Sequence, residues 1–502
     1  NIADIKVGAF ATLATPFVFS TVWQGSEDRT LDPKRTTIET TVGATAGALF
    51  SVGFAGTAEL ARRATRLNRS TVNRAYEDIL KSEGANVTDI GSDGYNVGSV
   101  KLLEKLRKEV NADAIYFSRQ YQPWSPSLEQ SIRSHFDSEG VSVKRFPGTL
   151  LHEPGTVLTG SGTAFKVFTP FWRAANKLAA ASPIALPSVS WTGVSIQTDS
   201  IESWRLRPID KTGERDWADG WDTLWTPGED GAQRTLETFL EAPVEHYAEG
   251  RDTPAKRYTS RLSPHLKFGE ISPRQVWAAA QQRKLSAPQW SSAIDKFLAE
   301  IGWREFCYQL IDLFNDMPNT PFKGQFGGFP WQNNAEHLRA WQRGQTGYPI
   351  VDAGMRELWH TGFMHNRVRM IVASFLTKHL LVHWIEGERW FWDCLLDADI
   401  ASNACSWQWV GGSGADASPY FRIFNPITQG EKFDKAGAYT RRWVPEVAEL
   451  PDKYLHKPWD APDEVLSAAG VALGETYPHP IVDHKTAREA ALCAYGTLKS
   501  LD

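Results

Sequence analysis

Apolar positions along the chain follow two different periods. Short β-rich runs (Val18 to Trp23, Ala48 to Phe54, Asp113 to Phe117) alternate with stretches of helical spacing (Arg69 to Glu83, Val100 to Val110). That alternation is the layout of a parallel sheet covered by helices. From Thr235 onward the spacing is helical almost throughout: Leu236, Phe239 and Leu240, then Trp303, Phe306, Cys307 and Leu310, then Val368, Ile371, Val372 and Phe375 recur at steps of three and four. The pattern predicts an α/β N-terminal domain with a parallel, Rossmann-like sheet over residues 1–135 and an all-α C-terminal domain over 231–502. Between them, 136–230 is rich in Pro, Gly, Ser and Trp, including Pro183, Pro187, Pro208, Trp204, Trp217, Trp221 and Trp225. It is too long for an ordinary loop and too aromatic for a flexible linker, so a long connector wrapped on both domains is expected.

Composition narrows the class. A chain of 502 residues exceeds what one hydrophobic core usually serves, and 42% hydrophobic with 23% charged is ordinary for a soluble globular protein. The apolar run Phe10 to Phe19 is broken by threonines and Pro16 and falls short of a membrane span, so no membrane partner is expected. Cys307, Cys394, Cys405 and Cys493 show no CxxC spacing, which argues against a disulfide framework or a zinc site and for a cytoplasmic address. A net charge of −5 gives no bulk attraction to nucleic acid, so a DNA partner has to be met by a local basic patch.

Candidate chemistry concentrates in the helical half. Trp384 to Trp409 holds five of the 21 tryptophans, with Asp397, Asp399 and Asn403 threaded among them. Asp399 and Asn403 are four apart and share a helical face. In Thr259-Ser260-Arg261-Leu262-Ser263-Pro264, Ser263 before Pro264 predicts a helix N-cap. The hydroxyls there either cradle a phosphate or merely cap the helix, and capping is the commoner use. Glu300, Trp303 and Arg304 place a carboxylate, an indole and a guanidinium on one face, where a plain Glu–Arg surface pair is the commoner outcome. Asn366, Arg369 and Met370 share another face, and Arg369 on so apolar a helix calls for a buried anion, which Asp397 or Asp399 could supply. No metal is expected, because oxygen-ligand sites want more carboxylates and a recognisable loop.

Assembled, these stretches resemble the DNA photolyase/cryptochrome family, most closely the class I photolyases of cyclobutane pyrimidine dimers. The likeness runs from about Ala112 to Tyr495 and is carried in order by TSRLSPHL, WREF, TGYPIVDAGMREL, MHNRVRM, DADIASN, WQW, PYFRIFNP and YPHPIVDHKTARE. It implies an α/β antenna domain and a helical domain holding FAD, reduced when active, with Tyr247, Thr259, Ser260, Leu262, Ser263, Arg304, Arg369, Asp397, Asp399 and Asn403 as cofactor contacts. It implies a light-driven carbon–carbon lyase, a deoxyribodipyrimidine photo-lyase, in which the excited reduced flavin passes an electron to a flipped-out dimer. Glu300, Trp303, Asn366, Arg367, Met370, Trp409 and Gln429 match the family's lesion and DNA contacts, and Trp407, Trp384 and Trp331 its electron chain. The partner implied is DNA containing pyrimidine dimers, met by a monomer without an obligate protein partner.

Asn403 matches the position beside flavin N5, where plant cryptochromes carry Asp and animal ones Cys, so repair is favoured over the alternative, a cryptochrome-type blue-light photoreceptor. Asn366 stands where (6–4) photolyases have His. The short tail after YPHPIVDHKTARE is read as favouring the enzyme as well. The first 60 residues depart from the family's opening, and Gln122 stands where folate-binding members often have Glu. The antenna chromophore is therefore left open among methenyl-folate, a deazaflavin, a second flavin and none. A nicotinamide oxidoreductase, a third class, lacks any dinucleotide fingerprint in a strand–turn–helix context.

Overall fold

The structure, a computed structural model, describes residues 92–178, 180–184, 218, 220–416 and 421–498. The expected elements at Val18 to Trp23, Ala48 to Phe54 and Arg69 to Glu83, together with Pro187, Trp204, Pro208 and Trp217, lie outside the described residues.

The α/β part opens with α1 (Ser92–Val110), β1 (Ala114–Ser118), α2 (Ser125–Ser138) and β2 (Ser142–Phe146). The two strands pair in parallel, from Ala114 opposite Ser142 to Ser118 opposite Phe146. Strand β1 is buried at four of its five positions, as a parallel strand covered on both faces should be. Leu103 and Val110 of α1 and Leu128, Ile132 and Phe136 of α2 close over Ile115 and Phe117. The boundary expected at 135 falls inside α2, and β2 lies in the stretch expected as connector. Its sequence SVKRF offers only two apolar residues and is half exposed, so no hydrophobic run announces it.

The connector is tied down at several points. Helix α3 (Phe168–Ala175) lays Trp172 across Gly302, where a Cβ would stand 2.4 Å from the indole. Buried Glu305 accepts the amides of Leu151 and His152 at 2.8 and 3.1 Å. The Trp225 indole donates to the Thr361 carbonyl at 2.8 Å.

The helical part is assembled from α4 (Glu229–Glu241), α5 (Ser263–Phe268), α6 (Pro273–Ser286), α7 (Ser291–Leu313), α8 (Pro349–Thr361), α9 (Asn366–Ser374), α10 (Trp384–Cys394), α11 (Ile400–Gly411) and α12 (His484–Leu498), with shorter turns between. Its largest core gathers Trp341, Val351, Leu358, Val372, Leu376, Trp384 and Trp407. The TGYPIVD motif is structural. Asp352 is fully buried and accepts from Thr346 N (2.7 Å), Thr346 Oγ1 (2.6 Å), Gly347 N (3.1 Å) and Tyr477 OH (2.6 Å), joining α8 to the YPHPIVD segment. Four acceptor bonds are what a buried carboxylate requires to offset its desolvation. Among the described residues no helix is long and apolar enough to cross a membrane.

Candidate active site

A cavity of about 520 Å³ opens between α5, α7, α9 and the α10–α11 pair. Its floor is made by the turn that joins α10 to α11. Asp399 is the N-cap of α11, accepting the Ser402 amide at 2.7 Å and a hydrogen bond from the Tyr308 hydroxyl of α7. Burial alone would push the Asp399 carboxyl up, but Lys267 and Arg304 nearby outweigh it and hold it below the usual carboxylate range. Asp397, 4% exposed, takes both of its oxygens to Arg369 Nη2 at 3.1 and 2.9 Å, while Arg369 Nε donates to the Met364 carbonyl at 2.7 Å. The buried anion that Arg369 called for is therefore Asp397. Asn403, one turn into α11, donates Nδ2 to the Glu388 carbonyl (3.0 Å) and to Glu388 Oε1 (2.9 Å).

One wall is the loop Thr259 to Ser263. Arg261 holds a left-handed φ of 55° and its guanidinium lies between the rings of Trp225 (5.3 Å) and Phe363 (4.9 Å). The helix after it starts one residue earlier than expected: Leu262 is the N-cap, in an αR conformation, and Ser263 is already helical. The expectation of a Ser263 cap thus fails, because the strained Arg261 turn brings the chain into helical geometry before the serine. Six residues of helix also give little dipole, so anion binding here has to come from hydroxyls and cations. The side chains of Thr259 and Ser263 make no hydrogen bond within the described residues, while both line the cavity.

Toward the mouth, Glu300 pairs with Arg251, which also lies over the Tyr247 ring at 5.6 Å. The Glu300–Arg304 pair that the spacing allowed does not form. Arg304 donates instead to Thr149 O (2.7 Å) and Thr149 Oγ1 (3.1 Å) in the connector. Trp303 is stacked on Phe168 of α3, ring centres 3.6 Å apart. Trp409 donates its indole N–H to Asp416 O at 3.1 Å.

The cavity brings together Tyr247, Thr259, Ser260, Leu262, Ser263, Glu300, Trp303, Arg304, Asn366, Arg369, Met370, Asp397, Asp399, Asn403, Trp407 and Trp409. Four of the expected residues do not line it. Arg367 turns outward to Asp252 (2.8 Å) and the Phe433 ring. Gln429 sits apart with its Oε1 buried and unbonded. Trp384 is enclosed in the core, and Trp331 packs against that core half-buried, the His383 ring lying 5.0 Å from Trp331 and 5.6 Å from Trp384. Sequence reasoning missed Glu388, Arg251, Tyr308 and Phe168. None of them stood out from the sequence: Glu388 shares its helix with Glu386, Arg389 and Asp393.

Among the described residues, Glu104 of α1, His135 of α2 and Glu139 just after α2 also gather, but Lys108 and Arg107 already pair with the two carboxylates. Cys307, Cys394 and Cys405 are buried and Cys493 is exposed, all as free thiols.

Comparison with known proteins bears on what fills the cavity. Residues 297–497 match the FAD binding domain of DNA photolyase, and residues 92–188 match DNA photolyase. A deoxyribodipyrimidine photo-lyase of Agrobacterium fabrum is 49% identical over 80% of this chain and 82% of its own. Cryptochrome-2 of Arabidopsis thaliana is 36% identical over 82% of this chain and 68% of its own. A solved bacterial class III photolyase from Agrobacterium tumefaciens superposes with a TM-score of 0.77 at 49% identity, covering 80% of this chain and 82% of that one. The residues present fit FAD: unpartnered hydroxyls of Thr259 and Ser263 and the cations Arg304 and Arg369 suit its phosphates, and the polar turn at Asp397 to Asn403 suits its sugar and ring edges. On this evidence the chain belongs to the DNA photolyase/cryptochrome family, as an FAD-binding enzyme of DNA photorepair.

Proposed function

We propose that the chain repairs cyclobutane pyrimidine dimers and that the cofactor and lesion contacts named above hold those roles. The observation that carries this is the continuity of the cavity. Cofactor-type residues (Asp397, Asp399, Asn403, Arg369) and lesion-type residues (Glu300, Trp303, Asn366, Met370, Trp409) line one space. Bound in reduced form, FAD supplies an electron under light to open the cyclobutane ring and takes it back.

The protein's own work is placement. A dimer inside a duplex has to be flipped out to reach such a cavity, an energy offset by aromatic and hydrogen-bonding contacts. Trp303, backed by Phe168, and Trp409, held through Asp416, present fixed aromatic walls. Arg251 engages one oxygen of Glu300 and leaves the other for the polar edge of a base. Arg367, outside the cavity and paired with Asp252, keeps a DNA phosphate contact as its assigned role on the family resemblance. Trp407 lines the cavity and belongs to the same core as Trp384, against which Trp331 packs, which supports the reading of the three as a relay that carries electrons inward.

As to class, the 49% identity to a class III photolyase favours class III over the class I resemblance. The reading includes action as a monomer in the cytoplasm, with an antenna pigment of open identity. The likeness to a plant cryptochrome supports a second reading, a blue-light photoreceptor, against which Asn403 stands as a neutral amide rather than an acid. Illumination of the reduced holoenzyme with single-stranded DNA carrying cyclobutane dimers, and separately (6–4) products, tests the proposal. Recovery of thymine from the first substrate alone is expected, and no light-dependent recovery from it would overturn the reading.

A further inference from the structure

Three sulfur atoms meet on one wall of the cavity, brought there from separate elements. Cys307 comes from α7, Met317 from the turn that follows α7, and Cys405 from α11. All three line the cavity and are buried, at 7%, 2% and 7% exposure. Cys405 Sγ stands 4.0 Å from Met317 Sδ and 3.8 Å from the Cys307 carbonyl, and the two thiols hydrogen-bond to each other. The cysteines lie 98 positions apart, so no spacing in the sequence announces the cluster. Neither the cofactor contacts nor the lesion contacts named above make use of it.

The donor set is selective. Thiolates and thioethers are soft ligands that suit Cu(I) and leave hard cations to oxygen donors. Among the described residues no His, Asp or Glu joins the two cysteines with all ligand atoms within 4.8 Å of one another. Four-coordinate zinc, which draws its donors from Cys, His and carboxylates, therefore lacks half of its set. A trigonal ion with bonds to sulfur of about 2.3 Å, the length zinc makes to thiolate, holds its ligands about 4.0 Å apart. The Cys405–Met317 separation already has that value. We propose that Cys307, Met317 and Cys405 form a three-sulfur site for a soft monovalent cation of the Cu(I) class. Binding moves no electron: the ion displaces the protons of the two thiols, which leave to solvent, and Met317 adds a neutral donor. The cavity that the three residues line is the entry path.

The test titrates the FAD-loaded protein with Cu(I) in the dark and without oxygen, with ascorbate keeping the copper reduced and bicinchoninate competing for it. About one Cu(I) per chain should stay with the parent, and X-ray absorption at the copper edge should show three sulfur neighbours at about 2.3 Å. C493S, which removes the exposed thiol, should retain copper as the parent does. C307S and C405S should each lower the affinity tenfold or more, and M317L threefold or more. Where a serine variant fails to fold or to load FAD, the alanine variant takes its place, and the absorption spectrum of the parent reads the ligands without any substitution. No copper held by the parent, loss of copper in C493S, nitrogen or oxygen in place of any of the three sulfurs, or a variant at 307, 317 or 405 that binds as tightly as the parent overturns the proposal.

Discussion

Gly387→Ala tests whether the approach of α10 to α11 is as tight as the structure shows. In an exposed helix this change gains about 1 kcal/mol, because alanine has the better helix propensity. Here the new methyl would stand 2.1 Å from Trp407 Cη2, 2.4 Å from Cζ3 and 2.7 Å from Leu376 Cδ2. Trp407 is 2% exposed and has nowhere to go: Phe391 meets its ring edge-on at 5.0 Å and Trp341 at 6.1 Å. Overpacking of a filled core typically costs about 1–3 kcal/mol, and three contacts this short on a locked ring put the site at the upper end. A net loss of about 1–2 kcal/mol follows, or about 2–6 °C in the melting of the helical part. Thermal unfolding followed by flavin release and tryptophan fluorescence measures it, alongside the rate of flavin photoreduction, which a displaced Trp407 should slow. A variant as stable as the parent, with unchanged photoreduction, would mean that the helices stand further apart and that the reasoning fails.

Three further outcomes are expected. Asp397→Asn leaves Arg369 without its anion and should weaken FAD binding about tenfold or more by titration, with some loss of stability, since breaking one partner of a buried pair is costly. Trp407→Phe should slow photoreduction of oxidised flavin yet spare repair by chemically reduced protein; equal photoreduction rates would remove Trp407 from the relay. The Glu388 carboxyl, pushed by burial to about 7 from an ordinary value of 4.5, makes the folded state hold an extra proton. Its contribution is complete below about pH 4.5 and is lost as pH rises through 7, on the order of 2–3 kcal/mol. Unfolding of the parent relative to E388Q, measured across pH 5 to 8, should therefore show the parent losing ground as pH rises, and a flat difference would contradict the shift.

Much of the fold was legible because it rests on local period. The runs through Leu236, Trp303 and Val368 fall in α4, α7 and α9, and β1 falls within one residue of its expected place. Asp399 and Asn403 do share a face of α11, and Arg369 does have a buried anion. What stayed hidden depends on partners far away in sequence. Spacing on α7 could offer Arg304 to Glu300, but it could not show that Arg251 and Thr149 would claim them first. Nor could it show Phe168 covering one face of Trp303. Strand β2 escaped for the opposite reason: its charged and exposed positions carry little hydrophobicity, and its backbone pairing with β1 is not visible in its own sequence. The early start of α5 follows from a left-handed Arg261, a conformation that Trp225 and Phe363 hold from outside the motif.

The stretch Trp384 to Trp409 shows why aromatic core and polar site can occupy the same residues. On α11 the positions lining the cavity are Asp399, Ser402, Asn403, Cys405, Ser406, Trp407, Trp409 and Val410, centred on the stripe Asp399, Ser402, Asn403, Ser406, Trp407 and Val410 with its steps of three and one. The face turned away from it is buried too, where Gln408 accepts the Phe322 amide at 2.8 Å and donates to the carbonyls of Met317 and Thr320 at 2.6 and 2.9 Å. Apart from Ser406, which is exposed at the cavity, the polar groups of this helix have little solvent to rest on, so each buried one needs a protein or ligand partner. On this stripe the carboxylate and the amide occupy the first turns, and the large apolar groups of Trp407, Trp409 and Val410 the last, with Ser406 at the boundary. The order along one helix thus sets polar recognition at one end of the cavity and apolar contact at the other, about 15 Å apart along the axis between Asp399 and Trp409, or nearly three turns. A single residue inserted before Asn403 would rotate the later part of the stripe by about 100° and turn Trp407 away from both cavity and core. The register of α11, rather than any one of its side chains, is what joins the polar end of the cavity to the tryptophans behind it.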